Sequence, residues 1–191
     1  TLLRIAFIPI FIAFFYINIK YQYHYACLVF ILASITDGID GSLARKHDIV
    51  TDFGKLIDPI ADKLLVCSAL IMLMTKPDLF KVSEIVIIIL IGREFIVSGF
   101  RLLAASKGKV VAADRLGKIK MVVQIVAICF VLVEGGIVFE GLLVQWNMPS
   151  SWPIIGTMLA GQVLMWASAV LAVASLISYF IKNKEILKTM F

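Results

Sequence analysis

Residues 36–63 read TDGIDGSLARKHDIVTDFGKLIDPIADK and place six aspartates in a chain that is otherwise strongly apolar. The segments on either side, "VFILASIT" before and "KLLV" after, would be at home in hydrocarbon. An ionised carboxylate at membrane depth costs kilocalories unless something compensates it, so the position of these acids needs a physical reason. On a helix, residues three and four apart share a face. Asp37, Asp40, Gly41 and Ala44 follow that spacing at the end of one apolar run, and Gly54, Asp58 and Asp62 follow it at the start of the next. Two carboxylates and a glycine from each helix can then face one another across the turn "RKHDIVTD". Asp48 and Asp52 fall off both stripes and read as loop or capping residues.

The setting follows from composition. The chain is 61% hydrophobic and 16% charged with a mean hydropathy of +1.01, against roughly half apolar and a quarter charged for soluble domains. Apolar runs near 2–19, 25–44, 56–75, 82–105, 119–144 and 152–181 are each long enough to cross about 30 Å of hydrocarbon, which takes about 20 helical residues. They lack the alternation of a spanning barrel. The expectation is an all-α integral membrane protein, a six-transmembrane-helix bundle forming one domain over 1–191 with a cytoplasmic-facing polar active site. The first run has no cleavage site after it and reads as a helix, not a signal peptide. The chain opens at Thr1, so a native N-terminal segment is expected to precede it.

Charge asymmetry sets the orientation. With six spans, the 45–63 and 101–120 loops and both termini share one side and hold nearly all the Lys and Arg, while Lys20, Lys76 and Lys81 lie on the other. The positive-inside rule makes the aspartate side cytoplasmic. "YINIKYQYHY" and "VQWNMPSSWP" then supply interfacial aromatics on the far side. The net charge of +5 is thus a topology signal, and its scatter over several helix ends argues against nucleic-acid binding. Cys27, Cys67 and Cys129 stand alone in apolar segments, and neither His24 nor His47 has a second ligand at zinc spacing.

Four carboxylates at close quarters repel and take up protons unless cations neutralise them. Oxygen-only ligands favour hard ions, Mg²⁺ or Mn²⁺, and a two-metal site would clamp a phosphoryl group from both sides. Gly41 and Gly54 would let a ligand approach the helix backbone, and Arg45 can bond phosphate oxygen. A plain polar loop is the bland alternative. It fits poorly, because Asp58 and Asp62 lie where the apolar run "LIDPIADKLLV" has already begun. An ion or proton pathway is a second alternative, although such pathways seldom need two glycines and an arginine in register with four acids.

Farther along, Arg93 sits inside an apolar run with Arg101 eight residues on, on one helical stripe. Pairing with Glu94 or with a motif aspartate is one reading of Arg93. The other is that Arg93, Arg101 and Lys118 form a basic pocket able to hold a phosphate.

The full pattern, Asp37, Asp40-Gly41, Ala44-Arg45, then after eight residues Gly54, Asp58 and Asp62, resembles in every fixed position the signature of the CDP-alcohol phosphotransferase family. The helix count is similar too. The segments "FGKLIDPIADKLLV", "GREFIVSGFRLLAASKGKV" and "RLGKIKM" look most like bacterial members of that family that use glycerol 3-phosphate. The resemblance implies transfer of phosphatidyl from CDP-diacylglycerol to glycerol 3-phosphate with release of CMP, in a bacterial cytoplasmic (inner) membrane, by a multi-pass homodimer in contact with membrane lipid. It also implies metal binding by Asp37, Asp40, Asp58 and Asp62, a general-base role for Asp62, and CDP binding at Gly41, Ala44, Arg45 and Gly54. Another acceptor, inositol phosphate or phosphatidylglycerol, is the alternative within the family; outside enzymes it is a membrane transporter. A membrane prenyltransferase would show two separated Asp-rich motifs on a larger bundle.

Overall fold

The computed structural model describes residues 2–17, 19–47, 52–106, 115–139 and 152–184; over 2–3, 37–47, 52–60 and 152–158, and at Asp62, Asp78 and Arg115, it describes the backbone alone. Among these residues every regular element is helical: α1 (Leu2–Ala13), α2 (Gln22–His47), α3 (Asp52–Met74), the short α4 (Pro77–Phe80), α5 (Glu84–Ser106), α6 (Arg115–Phe139) and α7 (Trp152–Lys182). The all-α expectation therefore holds for the described residues. Among the described residues two stretches, Leu116–Phe139 and Leu159–Lys182, are long and apolar enough to cross a membrane. Helix α5 is of similar length but carries Arg93, Glu94 and Arg101 inside its apolar run.

The first helix departs from its expected extent of 2–19. It stops at Ala13, where the chain tightens into turns closed by Phe15 N–H to Ile12 O and Tyr16 N–H to Ala13 O, each 3.0 Å. The physical reason lies in "FFYINI", an unbroken run of aromatic and β-branched residues with one asparagine, all weak helix formers. Tyr21 then adopts a left-handed backbone at φ 66° and starts α2. In α2 the hydroxyls ahead of the aspartates are satisfied by their own helix, Ser34 donating to Phe30 O at 2.8 Å and Thr36 to Leu32 O at 2.7 Å. Such back-bonding lets hydroxyls sit in an apolar stretch without an unpaired donor.

The chain divides into two compact units, Thr1–Lys81 with Ile128–Gly161, and Val82–Ala127 with Gln162–Phe191. In the first, α1 packs on α2 and α3, and α2 on α3. Its core is aromatic: Phe11 meets Phe15 at 5.3 Å between ring centroids, Phe15 meets Phe80 at 5.9 Å, and Tyr23 meets Phe80 edge-on at 5.1 Å and Phe139 edge-on at 5.3 Å. Glycines of α6 admit these rings. A Cβ at Gly135 would fall 2.6 Å from Phe80 Cδ1, and one at Gly136 would fall 2.6 Å from His24 Cε1. Near the same end of α6 the buried Glu134 carboxylate accepts the Gly161 N–H at 2.9 Å.

The second unit has its own core, in which Val97, Phe100 and Tyr179 pack with Leu176 and Phe180. Phe100 meets the rings of Tyr179 and Phe180 edge-on, both at 5.6 Å. Away from the cores, Leu159, Val163, Trp166, Val170, Val173, Ile177 and Ile181 form one exposed apolar stripe along α7. Helices that are apolar on their exposed as well as their buried faces suit a lipid surrounding.

One prediction arises from the glycines. Gly135→Ala should lower stability by about 1–3 kcal/mol, the usual cost of overpacking, because the Phe80 ring is itself held by Phe15 and Tyr23 and has nowhere to retreat. Gly99→Ala in α5 meets nothing within 4 Å and should gain up to about 1 kcal/mol from helix propensity. Thermal unfolding in one detergent checks both. Equal midpoints for the two variants would contradict the packing described.

Candidate active site

The signature residues fall where the pairing of faces requires helix. Asp37, Asp40, Gly41, Ala44 and Arg45 belong to the last turns of α2, and Gly54, Asp58 and Asp62 to the first turns of α3. These two helices pack on each other within one unit. A helix through the aspartates is what turns sequence spacing of three and four into shared faces. The side chains of these eight residues lie outside what the structure describes, as does the loop at 48–51 that holds Asp48. The donor set itself fits a hard divalent cation, since two adjoining helices bring only carboxylate oxygens and no thiol or imidazole at those positions. Among the described residues there is no cluster of metal-ligating side chains.

The basic residues expected at an acceptor pocket are described in full, and all three lie in the second unit. Arg93 is a largely buried residue of α5. Its Nε and Nη2 donate to Ser175 Oγ on α7 at 3.2 and 3.0 Å, and its Nη1 donates to Glu94 Oε1 at 3.4 Å. The Arg93 side chain keeps only 11% of its surface exposed. Glu94 also accepts from the buried Lys120 of α6. The guanidinium lies so close to α6 that a Cβ at Gly117 would be 3.0 Å from Nη2. Arg101 is exposed and stands over the Tyr179 ring at 5.6 Å from its centroid, within the range of a cation–π contact. Lys118 is exposed on α6, one residue beyond Gly117.

Arg93 and Gly117 are thus brought together, which puts Lys118 next in sequence to the point where the guanidinium touches α6. The partner expected for Arg93 from pairing alone, Glu94, is also found, although neighbours on a helix do not face each other. Contact is made through Glu94 Oε1, the same oxygen that accepts from Lys120. The sequence reading did not include Ser175, Lys120 or Gly117. "RLGKIKM" held two of them, but nothing in one helix tells which residue of another will meet it.

Comparison with known proteins gives a consistent picture. The sequence model of the CDP-alcohol phosphatidyltransferase family matches residues 1–174. A CDP-diacylglycerol--glycerol-3-phosphate 3-phosphatidyltransferase of Rickettsia bellii is 41% identical over 94% of this chain and 90% of its own length. The protein of that name from Bacillus subtilis is 39% identical over 99% of this chain and 95% of its own. An Arabidopsis thaliana relative, named as number 2 of that activity, is 37% identical over 98% of this chain and 78% of its own.

Proposed function

The chain belongs to the CDP-alcohol phosphatidyltransferase family, and from that premise we propose that it transfers phosphatidyl from CDP-diacylglycerol to glycerol 3-phosphate, giving phosphatidylglycerophosphate and CMP. The observation that carries this reading is the unbroken signature from Asp37 to Asp62 on two adjoining helices, in a chain whose relatives bear that activity in their names. In the step, a hydroxyl oxygen of glycerol 3-phosphate bonds to the phosphatidyl phosphorus. The bond from that phosphorus to the bridging oxygen breaks, and CMP leaves with the electron pair. Asp62 takes the proton of the attacking hydroxyl. A carboxylate with an ordinary pKa near 4 is a weak base toward an alcohol, so Asp62 serves mainly by its position. Mg²⁺ or Mn²⁺ bound by Asp37, Asp40, Asp58 and Asp62 would supply charge neutralisation at the phosphoryl group. Gly41, Ala44, Arg45 and Gly54 receive the cytidine diphosphate, and Arg93, Arg101 and Lys118 hold the acceptor phosphate.

The same reading assigns the chain, as one catalytic domain, to a bacterial cytoplasmic membrane with six spans, the aspartates on the cytoplasmic side, and a homodimeric assembly. Support comes from the Lys and Arg asymmetry, from the two helices able to cross a membrane and from the exposed apolar stripe of α7. The arrangement suits the substrates. One brings acyl chains that stay in lipid, the other is water-soluble, and both present phosphate at the interface.

The test is release of CMP from CDP-diacylglycerol by the purified protein with a panel of acceptors side by side. Glycerol 3-phosphate should be the acceptor that drives it; preference for inositol phosphate or phosphatidylglycerol would move the chain elsewhere in its family. Arg93 provides the finer check. Arginine's fork can take two phosphate oxygens where lysine offers a point charge, so Arg93→Lys should raise the KM for glycerol 3-phosphate about tenfold, or about 1.4 kcal/mol. CDP-diacylglycerol binding should stay nearly intact, since the acceptor phosphate takes no part in bond breaking. Unchanged acceptor kinetics in the folded variant would move the pocket elsewhere.

A further inference from the structure

We infer that Ser175 and Gly117 are positioning residues that aim the Arg93 guanidinium, with Glu94 as its counter-ion, so that two of its N–H groups remain for the acceptor phosphate. The inference rests on the acceptor reading of Arg93 given above. A serine hydroxyl has one donor and two acceptor sites. Ser175 uses all of them, donating to Ala172 O at 2.9 Å and accepting from Arg93 Nε at 3.2 Å and Nη2 at 3.0 Å. Its hydroxyl is therefore fixed by its own helix, and it fixes one edge of the guanidinium in turn. Ser175 is fully buried, so water does not compete for these bonds.

The rest follows from counting donors. Guanidinium has five N–H groups. Ser175 takes one from Nε and one from Nη2, and Glu94 takes one from Nη1 at 3.4 Å. Among the described residues, one N–H stays on each terminal nitrogen. Glu94 also accepts from Lys120, so its charge is shared between two cations and does not saturate Arg93. That leaves the guanidinium held at one edge, electrostatically positive, and still able to donate twice. An arginine present only to pack would need no such reserve.

Gly117 sets the remaining degree of freedom. The space where its Cβ would stand is 3.0 Å from Arg93 Nη2, tighter than an ordinary contact. Alanine there would push the end of a flexible side chain by a few tenths of an ångström, which does little to the fold but shifts the donors. Ångström-scale misplacement of a binding group is costly in function.

The experiment measures KM for glycerol 3-phosphate and for CDP-diacylglycerol, kcat and thermal midpoint in Ser175→Ala, Gly117→Ala and Arg93→Lys, and in each of the first two combined with Arg93→Lys. Ser175→Ala and Gly117→Ala should each raise the acceptor KM about fivefold, the scale of one weakened bond to a charged group. Their kcat and CDP-diacylglycerol KM should stay near wild type. Gly117→Ala should keep or raise the thermal midpoint, because alanine is the better helix former; a purely structural role would not raise KM at undiminished stability. In the Arg93→Lys background both substitutions should add little, since the fork they aim is gone. If Arg93→Lys raises the acceptor KM while Ser175→Ala and Gly117→Ala match wild type, the positioning role is overturned and the acceptor reading stands. Should Arg93→Lys itself leave the acceptor KM unchanged, the acceptor reading fails and the positioning role with it. Where Ser175→Ala folds poorly, Gly117→Ala alone decides.

Discussion

Asp58→Asn and Asp62→Asn are expected to cut the rate of CMP release by roughly a thousandfold or more. In the proposed mechanism Asp62 is the general base, a role worth about 10²–10⁴ by itself, and Asp58→Asn, like Asp62→Asn, removes one negative charge from the four carboxylates proposed to hold the metal. Asparagine keeps the size and the helix, so the loss reports on charge and not on packing. Asp48→Asn and Asp52→Asn are the controls, since neither lies on the stripes of α2 and α3, and both should stay within a few-fold of wild type. Chelation of divalent metal should mimic the loss, and Mg²⁺ or Mn²⁺ should restore activity to wild type but not to the variants. Active stripe variants beside dead Asp48 and Asp52 variants would mean that the register of the two helices is wrong.

The helical spacing of the signature within each helix was legible in the sequence because it depends on local spacing alone. An aspartate three or four residues from another shares its face wherever the backbone is helical, and the backbone is helical through Asp37–Arg45 and Gly54–Asp62. The ends of the helices were less legible. Hydropathy marks where a chain can meet lipid, whereas a helix continues for as long as its backbone bonds can be made. So α2 runs to His47 through the polar signature, and α3 begins at Asp52, ahead of the apolar run expected from 56. In α1 the error had the opposite sign. "FFYINI" is apolar enough for a span but breaks the helix at Ala13, a property of side-chain crowding that a hydropathy sum does not contain.

The part of the candidate site around Arg93 was legible only as a question. A charge inside an apolar run announces that it has partners, but Ser175 is 82 residues away and Lys120 is 26 residues from Glu94. Such contacts are settled by how α5, α6 and α7 pack. Serine in an apolar helix carries no mark of its own, because its hydroxyl can be satisfied by the preceding turn, as those of Ser34 and Thr36 are. Only the three-dimensional arrangement separates a serine that closes on its own helix from one that also holds an arginine.

Gly41→Leu and Gly54→Leu carry the second large expectation. If the two glycines leave room for cytidine diphosphate to approach the backbone of α2 and α3, a leucine at either position must be displaced before the nucleotide can enter. Forcing a side chain out of place typically costs 1–3 kcal/mol, and at 1.4 kcal/mol per decade the upper end is about a hundredfold in affinity. The measurement is binding of CDP-diacylglycerol to folded protein together with the thermal midpoint of the same sample, because glycines on packed helices have a second use. Small residues let membrane helices approach closely, and Gly135 illustrates that use in this chain: the Phe80 ring occupies the space a side chain would need, so a substitution there is paid in stability. At Gly41 and Gly54 the two roles predict opposite readouts. A nucleotide site gives a lower affinity at an unchanged midpoint, while close packing gives a lower midpoint with affinity retained in whatever fraction still folds. Undiminished affinity in well-folded Gly41→Leu and Gly54→Leu would remove the glycines from the proposed nucleotide site and leave Ala44 and the charged Arg45 as its remaining members.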